Sequence, residues 1–581
     1  MILTTGNETG PSLILIEAGL TVLSIAIALA LPRLGSSALA PLVRAFHRLA
    51  RRRHLSVASV GAAALLLRLA ILPICPIPLP FVQDDFSFLL AADTFAHGRL
   101  TNPTPAMWTH FESVQITMQP TYMSMYFPAQ GLILAAGKVL FGNPQSNSWY
   151  GLLIVNALMC AALCWMLQAW LPPAWALLGG VVAVLRISLF SYWINTYSGA
   201  GSIACLGAAL VLGALPRITR HGARPRHCIL LALGISILGL SRPFEGLLLC
   251  LPVLFVLIRW IVTNPNRPPA AVLLRRALVP LALIFTTIAW LGYYDLRAFG
   301  NPFTLPYSAD RAAYAVAPYW IWQSPRPIPT YRHALMRDFY VGVELAYANR
   351  LHTAAGFLEE TFLFKPLRAF LFFSGVLFLP LLIMARRVLL DRRIRFLVIC
   401  TALVIGGVSL ETWLIPHYWA AITPGLYAIG LQAMRHLRHL RLTGQPAGAA
   451  ILRFSLVSCV LLAGIRLCAS PFHLTLAPWP SAAWASEWYG PGHLGLPRAD
   501  VEKSLNAMPG KHLVLVRYAP GHSPIDEWVY NAADIDASKV IWSREMDSPS
   551  NRELLGYYSD RKAWLVEPDA APPRITPYPA N

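Results

Sequence analysis

The chain alternates long apolar runs with short basic stretches. About 20 apolar residues cross a hydrocarbon core as a helix. Runs of that kind lie at 12–32, 57–79, 151–171, 174–196, 198–216, 273–294, 368–386, 395–414, 418–435 and 449–468. One further run, 228–262, is too long for a single helix and is interrupted by Ser241-Arg242-Pro243-Phe244-Glu245-Gly246. Basic stretches flank both of its ends, so the pattern predicts two short helices forming a hairpin that returns to its side of origin. The sum is an all-α polytopic membrane bundle of about twelve segments. The first run lacks a basic leader and a convincing cleavage site, and reads as an anchor.

Three longer segments interrupt this pattern. The first, 80–150, holds the apolar stretch Tyr126 to Phe141, with Pro128 near its start. That stretch is short for a span and suits an interfacial helix. The second, 295–367, is rich in Tyr, Trp and Pro, and reads as an ordered cap. The third begins near 470 and changes character at about 498, with β-like runs at 512–516, 540–542 and 563–566 and a helical stretch, Asn551 to Tyr558. This alternation predicts a small C-terminal α/β domain with a modest core. The expected organisation is N-terminal spans (1–79), a first external loop (80–150) and central spans with the broken hairpin (151–294). A second external loop (295–367), C-terminal spans (368–470) and an external linker with the α/β domain (471–581) complete it.

Composition agrees. Of 581 residues, 56% are hydrophobic and 13% charged, with a mean hydropathy of +0.52. Soluble proteins carry about a quarter charged residues, so a soluble enzyme, a disordered chain and a disulfide scaffold are all excluded. The net charge of +19 is gathered at 44–53, 217–226, 259–276, 386–395 and 435–453, where Asp391 is the single acid. The positive-inside rule places these five stretches in the cytoplasm, with both termini and the long segments outside. A nucleic-acid partner would need basic and aromatic residues in one soluble module, and the sequence has none. The nine cysteines lie in or beside apolar runs, with no CxxC or Cys/His grouping, and read as packing residues.

Acids are scarce, so their placement matters. Asp84 and Asp85 follow the second run in Pro80-Phe81-Val82-Gln83-Asp84-Asp85-Phe86-Ser87. Adjacent carboxylates at an apolar boundary raise the pKa of at least one, which suits a general base or a ligand for a divalent cation. The plainer alternative is an N-capping pair for a helix from Phe86 to Ala96. Arg242 and Glu245 stand in the broken hairpin, where ionisable groups are costly and mark function or simply neutralise each other. Arginine grips phosphate through paired hydrogen bonds. His417, in Pro416-His417-Tyr418-Trp419, suits either a phosphate contact or the aromatic belt. Glu112 and Arg311 are supporting candidates in the two loops, and Arg68 within the second run reaches either a cavity or a partner in the bundle.

The motifs Asp84-Asp85-Phe86, His97-Gly98-Arg99-Leu100-Thr101-Asn102-Pro103 and Tyr126-Phe127-Pro128-Ala129-Gln130-Gly131 are sharp. Their order resembles the first external loop of GT-C glycosyltransferases, in the branch of protein O-mannosyltransferases and lipid A aminoarabinose transferases. The resemblance covers the span layout to about residue 470, with its sharp motifs within 80–145. It implies an inner-membrane enzyme whose partners are a polyprenyl-phosphate sugar, membrane lipid, and a protein, lipid or glycan acceptor in the envelope. Sugar transfer to an acceptor hydroxyl would proceed with inversion. It implies Asp84 as the catalytic acid of the pair and Asp85 as its support. A basic-plus-proline motif in the hairpin would map to Arg242, for the donor phosphate. One departure stands out: relatives often carry a lysine just before the Tyr-Pro-Pro-like motif, where this chain has Ser124 and Met125, and Lys138 lies three turns further on. The competing class is a secondary transporter or lipid flippase, against which stand the boundary position of the acid pair and the absence of an internal repeat.

Overall fold

The computed structural model describes residues 13–142, 145–469 and 496–579. The first residues of the chain and most of the expected linker after 470 lie outside the described residues. Helices dominate, and each run expected to enter the membrane contains one. Six are long and apolar enough to cross: Arg53–Ala70, Gln145–Trp170, Gly201–His221, Pro243–Thr263, Ala270–Phe299 and Ala447–Cys468. Gly201–His221 is the central post, 89% of its apolar window being buried, whereas Ala270–Phe299 buries only 6% and presents its side chains outward. Lipid tails solvate such a face as well as protein does, so no partner helix is required there.

Small residues let the helices approach closely. A Cβ on Gly151 would lie 1.9 Å from the Ile133 carbonyl oxygen, so glycine alone permits the crossing of Pro128–Phe141 over Ser148–Trp170. That contact fastens the expected interfacial helix to the bundle.

Three expectations need correction. The run 368–386 is not one span. It belongs to a bent pair, Ala354–Phe373 and Val376–Leu389, turned by 106°. Gly375 makes the turn at φ +68, and a Cβ there would meet the Arg186 and Glu17 side chains, which form a buried ion pair at 2.9 Å. The hairpin over 228–262 is not two short helices: its arms are Pro225–Ser241 and Pro243–Thr263, and the second has full spanning length. Pro243 lacks an N–H and cannot continue the first arm, but is well placed to start the second. Finally, Arg395–Val408 has 14 residues, shorter than the run 395–414 predicts.

The first loop folds as a helix, Gln83–Ala96, and a small antiparallel sheet in the order β1 (Asn102–Pro103), β3 (Thr121–Ser124), β2 (Ile116–Thr117). The segment 295–367 is ordered into short helices, beginning with Pro306–Tyr314. At the C-terminal end, strands β4 (His512–Val516), β5 (Val540–Arg544) and β6 (Lys562–Glu567) fall on the three β-like runs. They pair in parallel in the order β5-β4-β6, with β7 (Arg574–Pro577) antiparallel at the edge. The helix Ser548–Tyr557 starts at Asp547, whose side chain accepts the Ser550 N–H at 2.8 Å. Leu513, Leu515 and Ile541 of this sheet share one core with Phe86, Leu90, Ile116 and Tyr122 of the first loop.

Candidate active site

The helix Gln83–Ala96 begins three residues earlier than the sequence predicts, with Val82 as its N-cap, so both aspartates lie in its first turn rather than capping it. The helix N-terminus favours carboxylates. Successive helical residues point about 100° apart, and the two side chains part company. Asp85 is wholly buried; its Oδ1 accepts the Tyr197 N–H at 2.9 Å and its Oδ2 accepts the Phe81 N–H at 3.2 Å. Burial pushes its carboxyl up to about 7, opposed by those donors and reinforced by Asp84. Asp85 thus ties together two stretches of backbone. Asp84 instead faces a cavity and accepts a hydrogen bond from the Tyr126 hydroxyl. Burial raises its pKa, and the Tyr126 and Gln115 side chains and the Arg242 charge pull it part of the way back.

The cavity, of about 450 Å³, lies between the first loop, the hairpin turn and the segments around 310–347 and 413–418. Of the residues singled out in the sequence, Asp84, Arg242, His417 and Arg311 line it. Arg242 occupies the turn between the hairpin arms. Its Nη2 donates to the Gly199 carbonyl at 3.0 Å, its Nη1 is 3.6 Å from Oε1 of Glu245, and its guanidinium sits 4.5 Å from the centre of the Tyr418 ring. Glu245 is buried and lines a smaller adjoining pocket of about 80 Å³, which Arg242, Tyr126 and Tyr418 share. Gly199 has φ +88, and a Cβ there would stand 2.9 Å from His417 Nδ1. A glycine is therefore needed where the Arg242-bound carbonyl meets the imidazole. The Tyr192 oxygen accepts the His417 backbone N–H and is 2.9 Å from its Nδ1, leaving the other edge of the ring for the cavity.

Other candidates are committed elsewhere. Arg311 Nη1 lies 3.3 Å from both carboxylate oxygens of Glu344, and its Nη2 donates to Ala317 O at 2.7 Å, so its charge is largely matched. Glu112 does not line the cavity: it accepts the Tyr314 hydroxyl at 2.9 Å and lies 3.5 Å from Arg332 Nη1, joining the two loops. Arg68 bonds to Cys75 O, Pro76 O and Asn195 Oδ1. Lys138 pairs with Asp93, and Met125 lines the cavity. Among the described residues no group of three or more His, Cys, Asp or Glu is arranged to hold a metal ion. With Asp85 engaged by backbone donors, the acid pair presents one carboxylate to the cavity rather than two.

Sequence reasoning missed several lining residues: Asp310, Glu344, Tyr347, Arg350, Arg368 and Tyr418. Asp310 is pushed up to about 7 by burial, against the pull of Arg311. Burial also raises Glu344. Acids are scarce in the chain, but nothing local separates Asp310 and Glu344 from the other charges of that segment. The C-terminal unit also reaches the site. Tyr530 stacks on Phe86 at 4.3 Å and 6°, the Arg498 guanidinium lies 4.8 Å from the centre of the same Phe86 ring, and Ile525 lines the cavity.

The geometry defines a helical, membrane-type protein with an aromatic-lined cavity that collects a carboxylate, a guanidinium and an imidazole. The fold is similar to that of ArnT from Cupriavidus metallidurans bound to undecaprenyl phosphate, at 13% identity over 88% of this chain and 92% of that one, with a TM-score of 0.47. It is also similar to the Archaeoglobus fulgidus oligosaccharyltransferase AglB in complex with an inhibitory peptide and a dolichol-phosphate, at 11% identity over 88% of this chain and 69% of that one, with a TM-score of 0.42. No family model matches the sequence, and no curated protein matches it.

Proposed function

We propose that the protein is an integral membrane glycosyltransferase that moves a sugar from a polyprenyl-phosphate donor to an acceptor hydroxyl, at the outer face of a bacterial-type inner membrane. The observation that carries this reading is that Asp84 and Arg242, 158 positions apart by number, line one cavity. The motifs of the first loop support it independently.

The acceptor oxygen attacks the anomeric carbon as the bond from that carbon to the phosphate oxygen breaks, and the phosphate monoester leaves with the electron pair. Asp84 takes the acceptor's proton. Its raised pKa makes it a better base than an exposed aspartate. The sugar passes through an oxocarbenium-like state. Charge grows on the leaving phosphate, so Arg242 stabilises the transition state more than the bound donor. His417, beside Gly199, is a second contact for that phosphate. A single displacement inverts the anomeric configuration. Asp85 fixes the backbone that presents Asp84. The lipid tail would lie between spans, with the external loops and the C-terminal unit on the acceptor side.

The test is transfer of label from radiolabelled polyprenyl-phosphate sugars to envelope extract by the purified protein. Label in the extract that depends on Asp84 is the expected result. Absence of transfer, together with translocation of the same lipids in proteoliposomes, would replace this reading with the flippase.

A further inference from the structure

Four of the five basic stretches meet at one corner of the fold, around the turn at Leu171 between the helices Ser148–Trp170 and Pro173–Ala183. Gln168 Nε2 donates to the Arg53 carbonyl at 3.0 Å. Arg217 Nη2 donates to Trp165 O at 2.7 Å, and Arg220 Nη1 to Ala169 O at 2.9 Å. Phe396, next to Arg395, stacks on Trp170 at 5.9 Å and 5°, and the Arg438 guanidinium lies 5.8 Å from the centre of the Trp175 ring. This corner is at the far end of the bundle from the cavity. Gly201–His221 connects the two, with Gly199 just before its start and Arg217 and Arg220 near its end. Its 21 residues rise about 30 Å.

No acid offsets this charge. Residues 18–83, 113–244 and 412–486, which supply the corner apart from Phe396 and its neighbours, contain neither Asp nor Glu. Asp391, the single acid of the basic stretches, is held by Gln432 and by His436 at 3.1 Å. A guanidinium has five N–H donors, and a carbonyl contact uses one of them. Orientation by the positive-inside rule requires charge beside each span, but it does not require the charges of separate spans to meet. The helix Ala40–Arg51 leads into Arg53 and packs against Pro173–Ala183. Leu42, Phe46 and Leu49 fall along one side of it, and Arg44, Arg48 and Arg51 along the other. Leu42 and Val43 are exposed. A basic amphipathic helix of this kind lies among lipid headgroups, and the half-buried Trp170 and Trp175 suit the same depth. A ligand for the corner must therefore be anionic, accept several hydrogen bonds and carry an apolar body into the bilayer.

We propose that this corner binds the headgroup of an anionic phospholipid through Arg53, Arg220 and Arg438, at the membrane face opposite the cavity. The phosphodiester accepts the free guanidinium donors, and the acyl chains run beside the apolar side of Ala40–Arg51. The site does not depend on the glycosyl-transfer reading.

The test titrates the full-length protein in neutral detergent with phosphatidylglycerol and with phosphatidylcholine of identical chains, and reads bound lipid by native mass spectrometry. The parent protein is expected to prefer phosphatidylglycerol. The triple variant Arg53→Gln, Arg220→Gln, Arg438→Gln should lower that preference by roughly tenfold or more, the scale on which a few arginines attract an anionic headgroup. Its affinity for phosphatidylcholine should be unchanged. Should the triple variant fail to fold, Arg53→Gln with Arg438→Gln decides in its place, since both side chains are exposed. A second triple variant, Arg259→Gln, Arg267→Gln, Arg275→Gln, removes the same charge from the fifth basic stretch and should leave the preference in place. A parent that binds the two lipids equally overturns the site. A preference that survives loss of the corner arginines does so too, as does one that falls equally in both triple variants, which would reduce the corner to part of a diffuse positive field.

Discussion

The Tyr126 hydroxyl donates to Oδ1 of Asp84, from a ring stacked on Phe88 at 4.3 Å and 16°. Asp84 and Phe88 are one helical turn apart, so a single tyrosine both orients the carboxylate and packs against the helix that carries it. The donor belongs to the Tyr126-Phe127-Pro128 motif. The acceptor belongs to the acid pair more than forty residues earlier.

This bond sets a pH dependence. Burial raises the Asp84 pKa, and donation from Tyr126 favours the ionised form and lowers it. A base works only when deprotonated, so turnover should fall as pH drops through a value above the ~3.9 of an ordinary aspartate. Tyr126→Phe removes the donor, so the acid limb should move to higher pH. A pH–rate profile of the variant with an unmoved acid limb would exclude Asp84 as the group it reports.

The two aspartates should fail in different ways. Asp84→Asn is expected to cost roughly a hundredfold or more in turnover, the usual scale for general-base catalysis, with donor binding kept. Asp85→Asn loses an acceptor for the Phe81 or Tyr197 N–H. It should instead lower the thermal stability of the purified protein, by about 1–3 kcal/mol for one unsatisfied buried group. Turnover per folded molecule should fall much less. Equal losses of turnover at both positions, with stability unchanged, would return Asp85 to the chemistry.

Arg242 lies at a distance of 3.6 Å from Glu245, so its role can be tested against simple neutralisation. Arg242→Met should lose about 1.5–3 kcal/mol, roughly ten- to a hundredfold, and Arg242→Lys less. Met125 lines the same cavity, so Met125→Lys should partly rescue Arg242→Met while changing the parent little. Rescue by Glu245→Gln instead, with none from the new lysine, would reduce Arg242 to a counter-ion.

Sidedness follows from packing. The C-terminal sheet shares a core with the first loop, and the Ala533 N–H donates to Asp93 at 2.8 Å, so both lie on one side of the membrane. Arg44 to Arg53 should lie on the other. Cys468 is the exposed native cysteine among the described residues. In a Cys468→Ser background, an impermeant maleimide applied to intact spheroplasts should label Asp560→Cys and leave Arg48→Cys unlabelled. The reverse pattern would invert the topology and place the cavity at the cytoplasmic face.

The sequence by itself determined whatever depends on near neighbours and on solvent. Apolar runs had to become helices, because no other segment satisfies its own backbone inside hydrocarbon, and a helix is found in every one. The β-like runs after residue 498 became β4, β5 and β6, because Val, Ile, Trp and Leu in short runs suit a sheet whose strands β4 and β5 are buried throughout. Asp84 and Arg242 were legible because charges are rare and costly in such surroundings. Tertiary structure decided the rest. Asp84 and Asp85 are indistinguishable in the sequence, and only the direction each side chain takes from the helix sends one to the cavity and the other to two backbone N–H groups. The 106° turn at Gly375 lies against the Arg186–Glu17 pair, a contact among three distant segments. Glu112, Arg311 and Asp310 look alike as loop charges. Which of them faces the cavity depends on which partner each found across the fold, and hydropathy and spacing carry no record of that pairing.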